Sequence, residues 1–333
     1  MERRSAMRLL GALTASTAVP VSTLQEVFAK IERVADGNVD LDEWERTVYE
    51  YSHLISMKPV GSLMNDLTAD VIAVGRLLHR GHRPGVQAGL FRISAGLSGL
   101  LATELGDVGD RRTARIAWRS ARRAADASGD RDLSVWVRAK EADDARWAGS
   151  PVPVVSRLVD EAAEMASGSP SYGLFRAQTV QAWLAARRGD HAGARSVLRD
   201  FVWTFEHLPD GSTSPDAAFG LVASGSGEAF LRWHEAYVRT LIDDDQASRA
   251  TEQALALYPA TLSGPVALLN LMQAMRLVRE REVGEGLSHA LAALESGSMS
   301  AARRHLAGQI LVGLPGDAHA LPAAQELRAM VSV

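Results

Sequence analysis

The chain of 333 residues contains no cysteine, and this absence excludes disulfide bonds, thiolate nucleophiles and cysteine-ligated zinc. Lysine is also scarce. It occurs only as Lys30, Lys58 and Lys140, so nearly all basic side chains are arginines. No apolar run approaches the ~20 residues that a membrane-spanning helix needs. The net charge of −4 argues against direct nucleic-acid binding, because free-standing nucleic-acid-binding proteins normally carry a surplus of positive charge.

The common motifs of enzymes are absent from the sequence. It contains no G-x-x-x-x-G-K-[ST] phosphate loop, no H-E-x-x-H pair and no G-x-S-x-G turn. His79 and His82 share a turn region, but zinc normally needs three or four clustered ligands. The acidic run Asp243–Asp245 is interpreted as a helix N-cap rather than a cation site. We therefore predict a protein that is not an enzyme and that has no metal and no cofactor.

Apolar residues recur at helical spacing through most of the chain, and no alternating polar and apolar run supports a strand. The helical segments are interrupted by turns at Gly109, Gly149 and Gly189, which fall forty residues apart. Around Gly189 small residues occupy the positions where two helices would touch. Such a repeat predicts an all-α fold, a right-handed superhelical array of antiparallel helical hairpins that forms an α-solenoid.

The expected organisation is a short leader followed by one domain. Residues 1–20 are interpreted as a leader or linker, and residues 21–333 as a single helical-repeat domain. Arg3 and Arg4 precede a mildly apolar run, which has the outline of a twin-arginine export signal. Export is the minor alternative, and we expect a cytoplasmic protein. Residues 209–227 are rich in proline, glycine and serine and are predicted to be a loop inserted between hairpins.

The turn at Gly189 carries a family resemblance. The pattern Leu-x-x-x-x-Gly-Asp-x-x-x-Ala, at Leu184, Gly189, Asp190 and Ala194, resembles tetratricopeptide repeats. The period here is near forty residues rather than thirty-four, so the resemblance is to a divergent array. It implies that the first helix of each hairpin lines a concave groove.

The chain is also similar to the region that follows the helix-turn-helix domain in actinobacterial transcriptional regulators of the XRE type. Residues 2–12, 44–51 with 63–78, and 314–328 carry this resemblance. It implies a regulatory protein that binds a peptide, a small ligand or a partner protein in its groove. The DNA-binding domain of those regulators is not in this sequence. We therefore expect a helix-turn-helix regulator acting in trans as one candidate partner.

The implied groove positions combine arginines with tryptophans. They are Trp136, Asp143, Arg146, Arg176, Thr179, Trp183, Arg187, Arg232 and Arg239. Arginine binds carboxylates through two hydrogen bonds, and tryptophan offers a large apolar surface. We therefore expect these positions to bind the ligand or partner. The alternative is that the tryptophans pack between hairpins while the arginines extend along the surface.

Two other functions are compatible with the sequence. An arginine ridge runs along one predicted helix and consists of Arg111, Arg112, Arg115, Arg119, Arg122 and Arg123. The ridge could contact nucleic acid, but we interpret it as a solvated outer face paired with Asp126, Asp130 and Asp132. The other alternative is a structural scaffold that associates with itself as a homodimer.

Overall fold

The computed structural model describes residues 39–208, 227–259 and 262–332. Within these ranges the chain forms fourteen α-helices, one short 3₁₀ helix at Gly316–Ala320 and no strand, which confirms the all-α prediction. The predicted leader lies outside the described residues, and so does the predicted loop except for its last residue. The α-helices are α1 Leu41–Leu54, α2 Met64–Leu78, α3 Pro84–Asp107, α4 Arg111–Ser128, α5 Arg131–Trp147, α6 Val152–Ala166, α7 Tyr172–Arg187, α8 His191–Glu206, α9 Gly227–Leu241, α10 Ala247–Leu257, α11 Ser263–Arg279, α12 Val283–Glu295, α13 Ala301–Gly313 and α14 Pro322–Ser332.

The three glycines forty residues apart lie in the predicted turns. Gly109, Gly149 and Gly189 connect α3 to α4, α5 to α6 and α7 to α8, with φ values of +92°, +70° and +75°. Glycine is favoured in this left-handed region because it has no Cβ to clash with the backbone. Asp110 and Asp190 follow two of these turns, and each side chain accepts a backbone N–H three residues ahead. These caps start α4 and α8.

The first helices of successive hairpins pack in a row. The row consists of α3, α5, α7, α9, α11 and α13, each in contact with the next. The second helices α4, α6, α8 and α10 each contact the first helix of their own hairpin and that of the next. Every residue from 171 to 180 is buried, because α7 has neighbours on both sides of the row. The core is therefore continuous from hairpin to hairpin.

The row returns on itself. Helix α13 contacts both α3 and α5. The Asp107 carboxylate at the end of α3 accepts a hydrogen bond of 2.8 Å from the backbone N–H of Ala301 at the start of α13. The rings of Trp147 and His305 also meet, with centroids 5.6 Å apart. The inner faces of the first helices consequently surround a common interior. No described helix is both long enough and apolar enough to cross a membrane.

The contact between α5 and α7 depends on a glycine. A Cβ added to Gly173 would lie 2.6 Å from the backbone nitrogen of Trp136, so Gly173→Ala forces the two helices apart. We expect the free energy of unfolding to fall by about 1–3 kcal/mol, the usual cost of overpacking. Gly75→Ala is the matched control, because a Cβ there meets nothing within 4 Å and alanine favours the helix by about 1 kcal/mol.

Chemical denaturation of both variants measures the difference. Equal stabilisation by the two alanines would contradict the close approach of α5 and α7.

Candidate functional site

A buried ion cluster joins α5 to α7 in the interior. It consists of Asp143, Arg146 and Arg176, which are 5%, 1% and 7% exposed. The Asp143 carboxylate accepts hydrogen bonds of 2.7 Å from Arg146 Nε and 2.7 Å from Arg176 Nη1. Asp143 and Arg146 share a face of α5 because they are three residues apart. Arg176 reaches Asp143 because α7 packs directly on α5.

Aromatic rings surround the two guanidinium groups. The Arg146 guanidinium lies 4.1 Å from the ring centroid of Trp147 and 4.9 Å from that of Tyr237. The Arg176 guanidinium lies 5.1 Å from the ring centroid of Phe230. Such cation–π contacts favour the charged form of a buried arginine. The cluster carries one negative and two positive charges, so it retains a net positive charge in the interior.

Three buried titratable groups at or next to the ion cluster hold a single protonation state at neutral pH. Burial alone would raise the pKa of Asp143, but Arg146 and Arg176 hold that pKa well below its usual value. Burial lowers the pKa of His234 to about 3, so the ring is neutral and its Nδ1 lies 2.9 Å from the Phe230 carbonyl. Burial raises the pKa of Tyr237 to about 12. A general acid or base needs a pKa near the working pH, and none of these three groups has one.

Two cavities lie along the interior. The first has a volume of about 240 Å³ and is lined by the ion cluster together with Trp136, Lys140, Trp147 and His234. The second is an open cleft of about 660 Å³ between the ends of α7, α9, α11 and α13. Trp147 lines the first cavity and His305 lines the second. Their rings are in contact, so these two side chains stand between the cavities.

The structure brings only some of the predicted groove residues together. Trp136, Asp143, Arg146 and Arg176 line the first cavity, whereas Arg187 lines the second cleft. Thr179 and Trp183 are buried. Thr179 donates its hydroxyl to the Arg176 carbonyl, and Trp183 is part of the apolar core.

Arg232 and Arg239 lie on α9 outside both cavities. Arg232 pairs with Glu235 at 2.9 Å. Arg239 pairs with Glu235 at 3.0 Å and with Asp244 at 2.9 Å, in a surface depression on the α8 side of α9. The local carboxylates already occupy both guanidinium groups. The structure therefore places these two arginines away from the interior.

The expected acidic partners of the ridge are found only in part. Asp126 forms its salt bridge with Arg138 at 2.9 Å, and Arg138 together with the ridge residue Arg122 lowers the Asp126 pKa. Asp130 caps α5. In the ridge, Arg122 binds Glu141 at 3.3 Å, and the other five arginines are exposed.

The acidic run Asp243–Asp245 is expected to cap the next helix, and it does so in part. The N-cap residue of α10 is Gln246, which makes no side-chain capping bond, but Asp244 Oδ1 accepts the backbone N–H of Gln246 at 3.1 Å. The Asp244 carboxylate also accepts hydrogen bonds from Arg195 and Arg239. It thus links α8, α9 and the turn before α10. Across the described ranges no three histidine or acidic side chains converge as a metal site would require.

Sequence reasoning missed the side chains that α11 and α13 contribute to the interior. Arg279, Arg304 and His305 line the second cleft, and all three lie on first helices of hairpins. The expectation that first helices line the concave groove would have identified these three residues if it had also been applied to α11 and α13. The groove positions named from the sequence all come from hairpins before α11.

No protein family model, no curated protein and no solved structure matches this chain significantly. The resemblance to tetratricopeptide regulators therefore stays a prediction.

The ion cluster predicts a large effect of Asp143→Asn. This change leaves two buried guanidinium groups without a counter-charge, which typically costs about 3–5 kcal/mol. The control is Asp144→Asn on the same helix. Asp144 pairs with the partly exposed Lys140 and accepts the Thr103 hydroxyl at 2.8 Å; asparagine keeps that acceptor, and a partly exposed ion pair contributes about 1 kcal/mol or less. Urea unfolding of both variants gives the comparison. Similar losses of unfolding free energy in the two variants would contradict the role of Asp143 as the buried counter-charge of Arg146 and Arg176.

The closure of the row predicts a pH effect at Asp107. Burial raises the pKa of Asp107 to about 6, so the folded chain holds a proton there that the unfolded chain releases near pH 4. The contribution of the Asp107 carboxyl to the free energy of unfolding is greatest below about pH 4 and declines as pH rises from about 4 to 6. An asparagine side chain at this position would keep an acceptor for the Ala301 N–H without ionising. We expect the free energy of unfolding of Asp107→Asn to exceed that of the wild type by an amount that grows as pH rises from 4 and reaches about 1–3 kcal/mol by pH 8.

Urea unfolding of the wild type and of Asp107→Asn across this pH range measures the effect. If Asp107→Asn raised the free energy of unfolding equally at every pH, ionisation of Asp107 would not be the cause.

Proposed function

We propose that the chain is a non-enzymatic, cytoplasmic regulatory protein that binds a peptide, small ligand or partner protein inside a tetratricopeptide-like superhelix. The observation that carries the proposal is the common interior of the first helices, which holds a cavity lined by arginines and aromatic rings and a cleft lined by arginines and aliphatic side chains. Repeat arrays bind their ligands on such inner surfaces. A right-handed superhelix accounts for a row of helices that curves back to α3.

The chemistry around the ion cluster supports binding rather than catalysis. Asp143, His234 and Tyr237 keep one protonation state through neutral pH, and Arg146 Nη1 and Arg176 Nε are buried donors with no hydrogen-bond partner among the described residues. Arginines next to aromatic rings are typical of residues that dominate binding interfaces. A regulatory role is suggested by the similarity to XRE-type regulators. In that role a helix-turn-helix protein acting in trans would be the partner.

The two rival functions make different predictions from the same structure. A scaffold would bind a second copy of itself. A DNA-contacting regulator would use the exposed arginines of the ridge on α4, and its binding would weaken steeply with salt.

Native mass spectrometry of the protein purified from its source cells tests the proposal. We expect a monomer carrying a non-covalent ligand or partner, released on denaturation. Hydrogen exchange before and after stripping should then show protection in the inner helices α5, α7, α9 and α13, because the bound molecule contacts their inner faces. The outer helix α4 serves as the internal control.

Each rival has its own outcome in this experiment. A homodimer without a bound ligand favours the scaffold, and protection confined to α4 favours the ridge. Either result would contradict binding in the interior.

A further inference from the structure

The second cleft has an unusual set of polar side chains. Its polar side chains are Arg187, Arg279, Arg304, His305 and Gln309. No aspartate or glutamate among the described residues lines it. The volume of about 660 Å³ falls within the 300–1,000 Å³ that is usual for small-molecule sites. The cleft is therefore large enough for a ligand and is positively charged.

Two of the three arginines are available to a ligand. Arg279 lies 3.6 Å from Asp243 and donates a hydrogen bond to the Thr240 carbonyl. Neither Arg187 nor Arg304 forms a direct salt bridge within the described ranges, although the positive charge of Arg304 acts on the Asp107 carboxylate and lowers its pKa. Two guanidinium groups without a direct carboxylate partner at one cleft attract an anion, and a guanidinium matches the two oxygens of a carboxylate.

The remaining basic side chain, His305, adds no charge. Burial, together with the nearby Arg146 and Arg187, lowers the pKa of His305 to about 4. Gln309 Nε2 lies 2.8 Å from His305 Nε2, and a hydrogen bond there requires the neutral ring as acceptor. The positive charge of the cleft consequently comes from its arginines.

The rest of the cleft is apolar. Its apolar side chains are Leu241, Met275, Val278, Ile310 and Val312. Val312 is 86% exposed, although valine is usually buried. On the same helix, a Cβ added to Gly308 would meet nothing within 4 Å. The α13 wall is thus open, and it presents hydrocarbon beside the two arginines.

We propose that this cleft binds a small amphiphilic carboxylate. Its carboxylate pairs with Arg187 and Arg304, and its aliphatic chain covers the apolar wall of α11 and α13. This assignment rests on the proposed function, because it names the ligand class for one part of the interior. The carboxylate supplies the direct partner that the two guanidinium groups lack, while the aliphatic chain removes exposed apolar surface from water.

Calorimetric titration with three probes of equal chain length tests the ligand class. Octanoate, 1-octanol and octylammonium share the aliphatic chain and differ in the charge of the head group. We expect octanoate to bind with 1:1 stoichiometry and at least tenfold more tightly than the other two. Equal affinity for 1-octanol, or no binding of octanoate, would overturn the assignment of a carboxylate ligand.

Two variants locate the site. A double variant that combines Arg187→Gln and Arg304→Gln should weaken octanoate binding at least tenfold. The control is Arg111→Gln with Arg119→Gln, which removes the same charge from the exposed ridge on α4 and should leave affinity unchanged within twofold. Gly308→Trp should abolish binding, because the indole fills the cleft without a clash at Cβ. Circular dichroism of each variant checks that the helices are retained.

The outcomes separate the two proposals. Equal weakening by the ridge variant, or full binding in Gly308→Trp, would place octanoate elsewhere and overturn this inference. If octanoate fails while a co-purified molecule protects the inner helices, the ligand class is wrong and binding in the interior stands.

Discussion

A carboxylate held between two guanidinium groups, away from water, is the interaction on which the interior depends. Asp143 can be buried because Arg146 and Arg176 neutralise it, and Arg176 can reach it because Gly173 lets α7 approach the backbone of α5. A buried charge without partners would cost far more than a single hydrogen bond contributes. The close packing of α5 and α7 and the charge balance of the interior therefore depend on each other.

The return of α13 onto α3 and α5 changes what the inner faces can do. In an open array these faces would form a groove accessible along its length. Here Trp147 and His305 meet across the interior and divide it into a small cavity at the ion cluster and a larger cleft beyond it. The first has a volume of about 240 Å³ and its two arginines share the Asp143 carboxylate, whereas the second has a volume of about 660 Å³ and two arginines without a direct salt bridge. The capacity for a new ligand is accordingly greater at the α11 and α13 side.

The parts of this fold that sequence could predict are those with local causes. Helical spacing, glycine at turns with positive φ, and aspartate caps act within a few residues, so the hairpins of Gly109, Gly149 and Gly189 were predictable. The distribution of arginines had longer-range causes. Arg176 pairs with a carboxylate 33 residues away, and the contact of Asp107 with Ala301 spans 194 residues. Arg239 is an intermediate case, because Glu235 four residues earlier was a local signal that it has a partner.

The closed row of first helices is the central claim, and the absence of cysteine makes it directly measurable. Gly106→Cys on α3 and Ala302→Cys on α13 provide two unique sites for spin labels. Six helices packed side by side at 8–10 Å in an open row would separate these labels by about 45 Å. A closed row predicts a single narrow distance distribution well below that value, since the neighbouring residues Asp107 and Ala301 are hydrogen-bonded. A broad distribution centred near the open-row distance would contradict it.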